Sequence, residues 1–218
     1  MLAEVDMCGR FAIFSSVQQI KKIADRLKQI QKFQPTYNAV PGSYYPVISK
    51  NGWGTVLQEM RWGLVPFWAK DTKIGNKLIN ARAETITEKP SFKYAYKKRR
   101  CLIPVNGFYE WDQQRQPYFA KLEGEDLFFL AGIWEAWQKT ENELQTFTIL
   151  TQKATQPLAN VHHRMPIVLN ELTKDNWLNV RNNIADFFGK NEKLLIYPVS
   201  KAVNNPQNDG AELIRSIV

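Results

Sequence analysis

The chain has 218 residues, with 29 Lys plus Arg against 21 Asp plus Glu for a formal charge of +8, 44% apolar residues and 12% aromatic ones. That is enough chain and apolar surface for one packed domain, and it excludes a disordered tail or a fibrous repeat. No run approaches the roughly 18 apolar residues of a membrane span, while the charge favours anionic partners, nucleic acid first among them.

From the start of the chain, Met1 to Asp6 hold two acids and no basic segment, which argues against a secretory signal. Val17, Ile20, Ile23, Ala24, Leu27 and Ile30 recur at helical spacing, with Ser15 or Ser16 placed to cap them. Further helices are expected at Leu172–Val180 and Ile184–Phe188. Between them the pattern is short and strand-like, at Phe11–Phe14, Tyr45–Ile48, Thr55–Trp62, Arg100–Trp111, Tyr118–Leu122, Leu127–Trp134, Thr146–Thr151, Ile167–Leu169 and Leu195–Pro198. Many short strands and few helices predict a β-rich α+β single domain, a curved or barrel-like mixed sheet with peripheral helices. The two cysteines, Cys8 and Cys101, cannot build a disulfide framework, so a reducing, cytoplasmic setting is expected. Nothing demands more than a monomer.

Met7-Cys8-Gly9-Arg10-Phe11 is the sharpest chemical signal. A methionine before a small residue is the arrangement from which an initiator is removed, so translation from Met7 would leave Cys8 N-terminal. Such a cysteine carries a thiol and an α-amine on adjacent carbons, and the amine's ordinary pKa of about 7.7–8.0 leaves much of it unprotonated near neutrality. Together they can condense with an aldehyde, the amine forming an imine and the sulfur closing a thiazolidine. A buried, packing cysteine is the competing reading. Three more segments stand out: Leu78-Ile79-Asn80-Ala81-Arg82-Ala83-Glu84-Thr85, Gly107-Phe108-Tyr109-Glu110-Trp111 with a lone carboxylate in an apolar strand, and Val161-His162-His163-Arg164-Met165-Pro166 with both histidines.

At these residues the chain resembles the SRAP family, the SOS response-associated peptidase or abasic-site processing proteins. Tyr37–Gly42, Trp62–Pro66, Pro198–Ser200 and Gly210–Ile214 look like further family segments, so the likeness runs from Met7 onward. The resemblance implies a domain over residues 7–218, an extension 1–6 absent or removed in the active form, and covalent capture of the ring-opened aldehyde of abasic sites in single-stranded DNA during the damage response. It assigns catalytic roles to Cys8, Asn80, Glu110 and His162. His162 would assist ring opening, desolvated Glu110 would move protons at the amine, and Asn80 would orient the nucleophile or the opened sugar. DNA contacts fall to Arg10, Arg82 and Arg164, each two residues after a catalytic candidate, together with Thr151 and the aromatic pair Phe67 and Trp68. Weak lyase and self-cleaving peptidase activities are also implied, and the DNA-bound protein would be nucleoid-associated. No cofactor, metal or membrane is expected.

The extension is the departure from the family pattern. While residues 1–6 and Met7 remain attached, the Cys8 nitrogen is an amide that forms no imine. Lys97-Lys98-Arg99-Arg100 reads either as a solvated face or as a nucleic-acid contact. Two other functions compete: a non-covalent single-stranded DNA binding module, indifferent to residue 8, and an N-terminal-cysteine amidotransferase.

Overall fold

Asn106 divides the molecule in two. In the computed structural model, which describes residues 8–28, 30–138, 143–189 and 193–218, the expected strand Arg100–Trp111 is two strands of different sheets, β7 (Arg100–Val105) and β8 (Gly107–Trp111). The Asn106 side chain makes the corner. Its Oδ1 accepts from the Phe14 and Ser15 amides at 2.8 and 3.1 Å, and its Nδ2 donates to Ser15 Oγ and the Asp126 carbonyl at 2.9 and 2.6 Å.

One sheet has five strands, in the order β14 (Leu194–Pro198), β9 (Pro117–Leu122), β8, β1 (Phe11–Ile13) and β3 (Thr36–Ala39). The other runs β12 (Arg164–Pro166), β11 (Leu144–Lys153), β10 (Phe128–Trp137), β7, β4 (Tyr44–Asn51), β5 (Gly54–Trp62) and β2 (Arg26–Leu27). Two short strands join that sheet from the side. β6 (Asn80–Arg82) pairs in parallel with β11, and β13 (Val168–Leu169) pairs with β10. Pairing of β5 with β11 brings the two ends of the larger sheet together, which gives it the curved, mixed character expected.

The five-stranded sheet is buried on both faces. Along β1 and β8 the period of two sends Phe11 and Phe108 into the main core between the sheets. Ala12 and Tyr109 face a second cluster with Val199, Val203 and Leu213 from the C-terminal segment. Phe11 locks the two sheets by meeting Tyr45 and Trp62 at ring separations of 4.9 Å, and such pairs contribute about 0.5–1.5 kcal/mol beyond their burial. Trp62 is core, as is Trp177 against Phe187.

The helices are short and peripheral: α1 (Val17–Lys21), α2 (Lys93–Lys98) and α3 (Lys174–Leu178). Ser16 caps α1 through a capping box with Gln19. The long helix expected through Ile30 stops early. The Asp25 carboxylate accepts from the Thr55 amide and hydroxyl at 2.7 and 2.9 Å, drawing Arg26–Leu27 alongside β5 as a strand, while Ile23, Ala24 and Ile30 still pack on the core. Ile184–Phe187 is a 3-10 turn.

The basic run 97–100 is not one surface. Lys97 and Lys98 are exposed, but Arg99 pairs with Glu135 at 2.9 Å and Arg100 is 3% exposed. The Arg100 guanidinium lies over the rings of Tyr96 and Trp177 and donates to five carbonyls, those of Tyr96, Trp177, Asn179, Val180 and Asn182. Four of those carbonyls close the end of α3 and the turn after it, so half of the run holds the fold together.

Candidate active site

Cys8 enters β1 from the gap between the sheets. Its side chain is 1% exposed and its φ of +37° is left-handed, a conformation that costs a non-glycine residue on the order of 1–2 kcal/mol. The Cys8 backbone nitrogen donates to Glu110 Oε1 at 2.8 Å. Glu110 is on the same face of β8 as Phe108, turned toward the space between the sheets, and is 2% exposed, while the C-terminal segment covers the strand's other face as well. The solvent-facing position that alternation alone would allow it does not exist.

Burial pushes the Glu110 carboxyl up to about 8, partly offset by the Cys8 N–H that it accepts. Near neutral pH this group is therefore able both to give and to take a proton. The Cys8 thiol is raised well above its ordinary value, first by burial and then by the neighbouring carboxylate. At rest the sulfur is a thiol.

His162 Nδ1 lies 3.7 Å from Glu110 Oε2, on the other side of the carboxyl from Cys8. The same Nδ1 is 3.2 Å from the Arg164 carbonyl and 3.3 Å from the Arg164 amide. One of those contacts needs a protonated Nδ1 and the other a bare one, so the ring meets a backbone partner in either tautomer. Asn80 completes the group from β6, its Nδ2 at 3.5 Å from the Cys8 carbonyl oxygen. The parallel register Asn80↔Ile149 and Arg82↔Thr151 holds that strand against β11. His163 meets the His162 ring at a tilt of 46°, with ring centres 4.4 Å apart.

The residues expected to hold DNA separate into two kinds. Arg82 is exposed and shares a face of β6 with Asn80, as a spacing of two requires. Phe67 and Trp68 are 49% and 45% exposed. Arg10, by contrast, donates to Asn38 Oδ1 at 2.6 Å and to the Val203 carbonyl at 2.8 Å. Arg164 is 8% exposed, forks onto the carboxylate of Glu84, and donates to the carbonyl and hydroxyl of Thr151 at 2.8 and 3.3 Å. Thr151 itself is fully buried. In this structure Arg164 and Thr151 are buried and bonded to each other, partly buried Arg10 is bonded to Asn38 and Val203, and Arg82 is the exposed arginine of the three.

Two bracing residues were not singled out from the sequence. Glu84 holds Arg164, whose guanidinium in turn keeps the Glu84 carboxyl below its usual range. Asn38 ties Arg10 to the C-terminal turns, its Nδ2 donating to the carbonyls of Val203, Asn205 and Asn208. Both sit inside quoted motifs, but their partners are tens of residues away and carry no local signal. Among the described residues no three His, Cys, Asp or Glu side chains converge as a metal site would require, and the extension 1–6 with Met7 lies outside the described residues.

The family model described as SOS response associated peptidase (SRAP) matches residues 7–206. The abasic site processing protein YoqW of Bacillus subtilis is 39% identical over 223 residues, covering 96% of this chain and all of that protein. The abasic site processing protein HMCES of Gallus gallus is 30% identical over 259 residues, covering 95% of this chain and 77% of its own length. A crystal structure of a protein from Bacteroides thetaiotaomicron superposes with a TM-score of 0.83 at 25% identity, over 97% of this chain and all of that one.

Proposed function

This chain belongs to the SRAP family of abasic site processing proteins, and from that premise we propose that it captures abasic sites in single-stranded DNA through an N-terminal Cys8. The observation that carries the proposal is the 2.8 Å contact between the Cys8 nitrogen and the buried carboxyl of Glu110.

With Cys8 N-terminal, that nitrogen is an amine beside a carboxyl that burial pushes above its ordinary range. His162 assists opening of the sugar hemiacetal, moving the proton between ring oxygen and hydroxyl so that C1′ becomes an aldehyde. The amine adds to C1′, and Glu110 protonates the departing hydroxyl, so one water leaves as the imine forms. The Cys8 sulfur then adds to the same carbon while its proton passes to nitrogen. The product is a thiazolidine, reached with loss of one water and no oxidant. A thiol that is neutral at rest suits this order, amine first and sulfur second. Asn80 holds the Cys8 carbonyl and so fixes the direction of attack, and Arg82 offers a forked donor to a phosphate beside it.

The same contact favours a self-processing step for a chain made with its extension. The thiol would attack the Met7 carbonyl carbon, and neutral Glu110 would protonate the leaving Cys8 nitrogen. Water would then hydrolyse the thioester, releasing residues 1–7 and the free amine. The left-handed φ at Cys8 adds strain at that junction.

The test is to incubate protein bearing a free Cys8 amine with an abasic single strand and weigh the product. A heat-stable adduct lighter than the sum by one water is expected, absent in Cys8→Ala. Cys8→Ser keeps the amine and should give an adduct fixed only by borohydride reduction. No adduct from the free-amine protein refutes the proposal.

A further inference from the structure

We infer that Glu84 is a positioning residue for the capture reaction, fixing the place of His162 through the main chain of Arg164; this rests on the capture reading and extends it to a side chain outside the reacting group.

The topology divides the reacting groups between two short strands. β6 carries Asn80, and β12 begins at Arg164, two residues after His162; each strand has three residues. Both pair with β11, on opposite edges, and they come level at Thr151, which lies opposite Arg82 on one side and Pro166 on the other. Among the described residues neither strand has a second strand partner. Three ladder positions are the short end of strand lengths, so each strand has little hold of its own.

Glu84 and Arg164 supply a tie across β11. Glu84 follows β6 by two residues, and its carboxylate accepts from both guanidinium ends, Nη1 on Oε1 and Nη2 on Oε2, the latter at 2.9 Å. The same Nη2 donates to the Thr151 carbonyl at 2.8 Å, which pins the guanidinium to the strand that it crosses. A forked, charge-assisted pair fixes direction as well as distance. The Glu84 side chain is 43% exposed, so the pair adds little to stability and its weight falls on geometry.

That geometry reaches the reacting groups through one residue. His162 Nδ1 meets the Arg164 carbonyl at 3.2 Å and the Arg164 amide at 3.3 Å, while standing 3.7 Å from Glu110 Oε2. A shift of the Arg164 main chain therefore changes both the tautomer that the ring prefers and its distance from the carboxyl that serves Cys8.

The test uses protein bearing a free Cys8 amine, reacted in single turnover with an abasic single strand at a series of strand concentrations. Glu84→Gln keeps the side chain's size and removes the charged fork. It should lower the maximal rate about 10- to 100-fold, the cost of a misplacement near 1 Å, and change the half-saturating concentration less than about twofold. Arg164→Met should also react slowly, and adding Glu84→Gln to it should cost no more than about a further twofold. A second readout needs no DNA. The chain has two histidines, so His163→Gln assigns their ring ¹⁵N signals, and Glu84→Gln should shift the tautomer balance of His162. An unchanged maximal rate, a loss confined to half-saturation, losses that multiply in the double variant, or unmoved His162 signals would each overturn the inference. If the unaltered protein forms no adduct, capture falls and the His162 signals alone decide the role of Glu84. If it forms one and Glu84→Gln matches its rate, capture stands and the positioning role falls.

Discussion

Glu110 and Glu135 are strand carboxylates in opposite sheets, each 2% exposed, with Glu110 the more deeply enclosed. Burial raises both. They differ in company. Glu135 accepts from Arg99 at 2.9 Å and from the Ala136 amide at 3.0 Å, so a permanent cation opposes the rise that burial causes. Glu110 accepts from the uncharged Cys8 N–H, with the His162 ring 3.7 Å from its other oxygen. Desolvation alone does not make a catalytic acid. A buried carboxylate is pushed toward neutrality when an uncharged N–H is what offsets its burial, and is held lower when an arginine stands beside it.

The contrast breaks most visibly in reaction rates. Glu110→Gln should slow adduct formation about 10²- to 10⁴-fold, the range for loss of a general acid–base group, while Glu135→Gln should stay within about threefold. Equal losses would mean that both act only through the fold. Stability against pH comes next. Between about 4.5 and 8 folded Glu110 keeps a proton that the unfolded chain gives up, so stability should fall as pH rises through that window, by a few kcal/mol in all. Urea midpoints at pH 5 and pH 8 should converge in Glu110→Gln, and a slope as steep as in the unaltered protein would place the titration elsewhere. Glu135→Gln should cost about 1–2 kcal/mol at neutral pH, below the range for fully buried pairs because the Arg99 side chain is one-third exposed. Ser16→Ala, remote from both carboxylates, should cost about 1 kcal/mol of helix cap in the same unfolding measurement and leave adduct rates unchanged.

Most strands were legible because alternation is a local property. The Asn106 corner was not, since Cys101 to Trp111 reads as one mostly apolar run whose Pro104 lies within β7 and whose only glycine continues the strand beyond the corner. What bends it is a side chain bonded to Ser15 and Asp126. The helix beginning at Val17 was overextended for the mirror-image reason, its apolar spacing persisting past the point where Asp25 and Thr55 redirect the chain. Arg100 looked like part of a wet basic run because its cage of carbonyls comes from residues near 180. At the site, Cys8, Asn80, Glu110 and His162 could be named only through family motifs, since single polar residues have no period to betray them. Their geometry, and the internal engagement of Arg10 and Arg164, depend on contacts such as Arg164 with Glu84, 80 positions apart, which no window of sequence contains.

The protonated sulfur of Cys8 bears on chemoselectivity. Peroxides and alkylating agents react with thiolates, and a thiol kept neutral in an apolar pocket offers them little. An imine formed on the adjoining nitrogen is an electrophile delivered intramolecularly, at an effective concentration that no dissolved reagent matches. Under the proposed capture, one protonation state would make the residue dull toward stray electrophiles and still responsive to a carbonyl bound beside it.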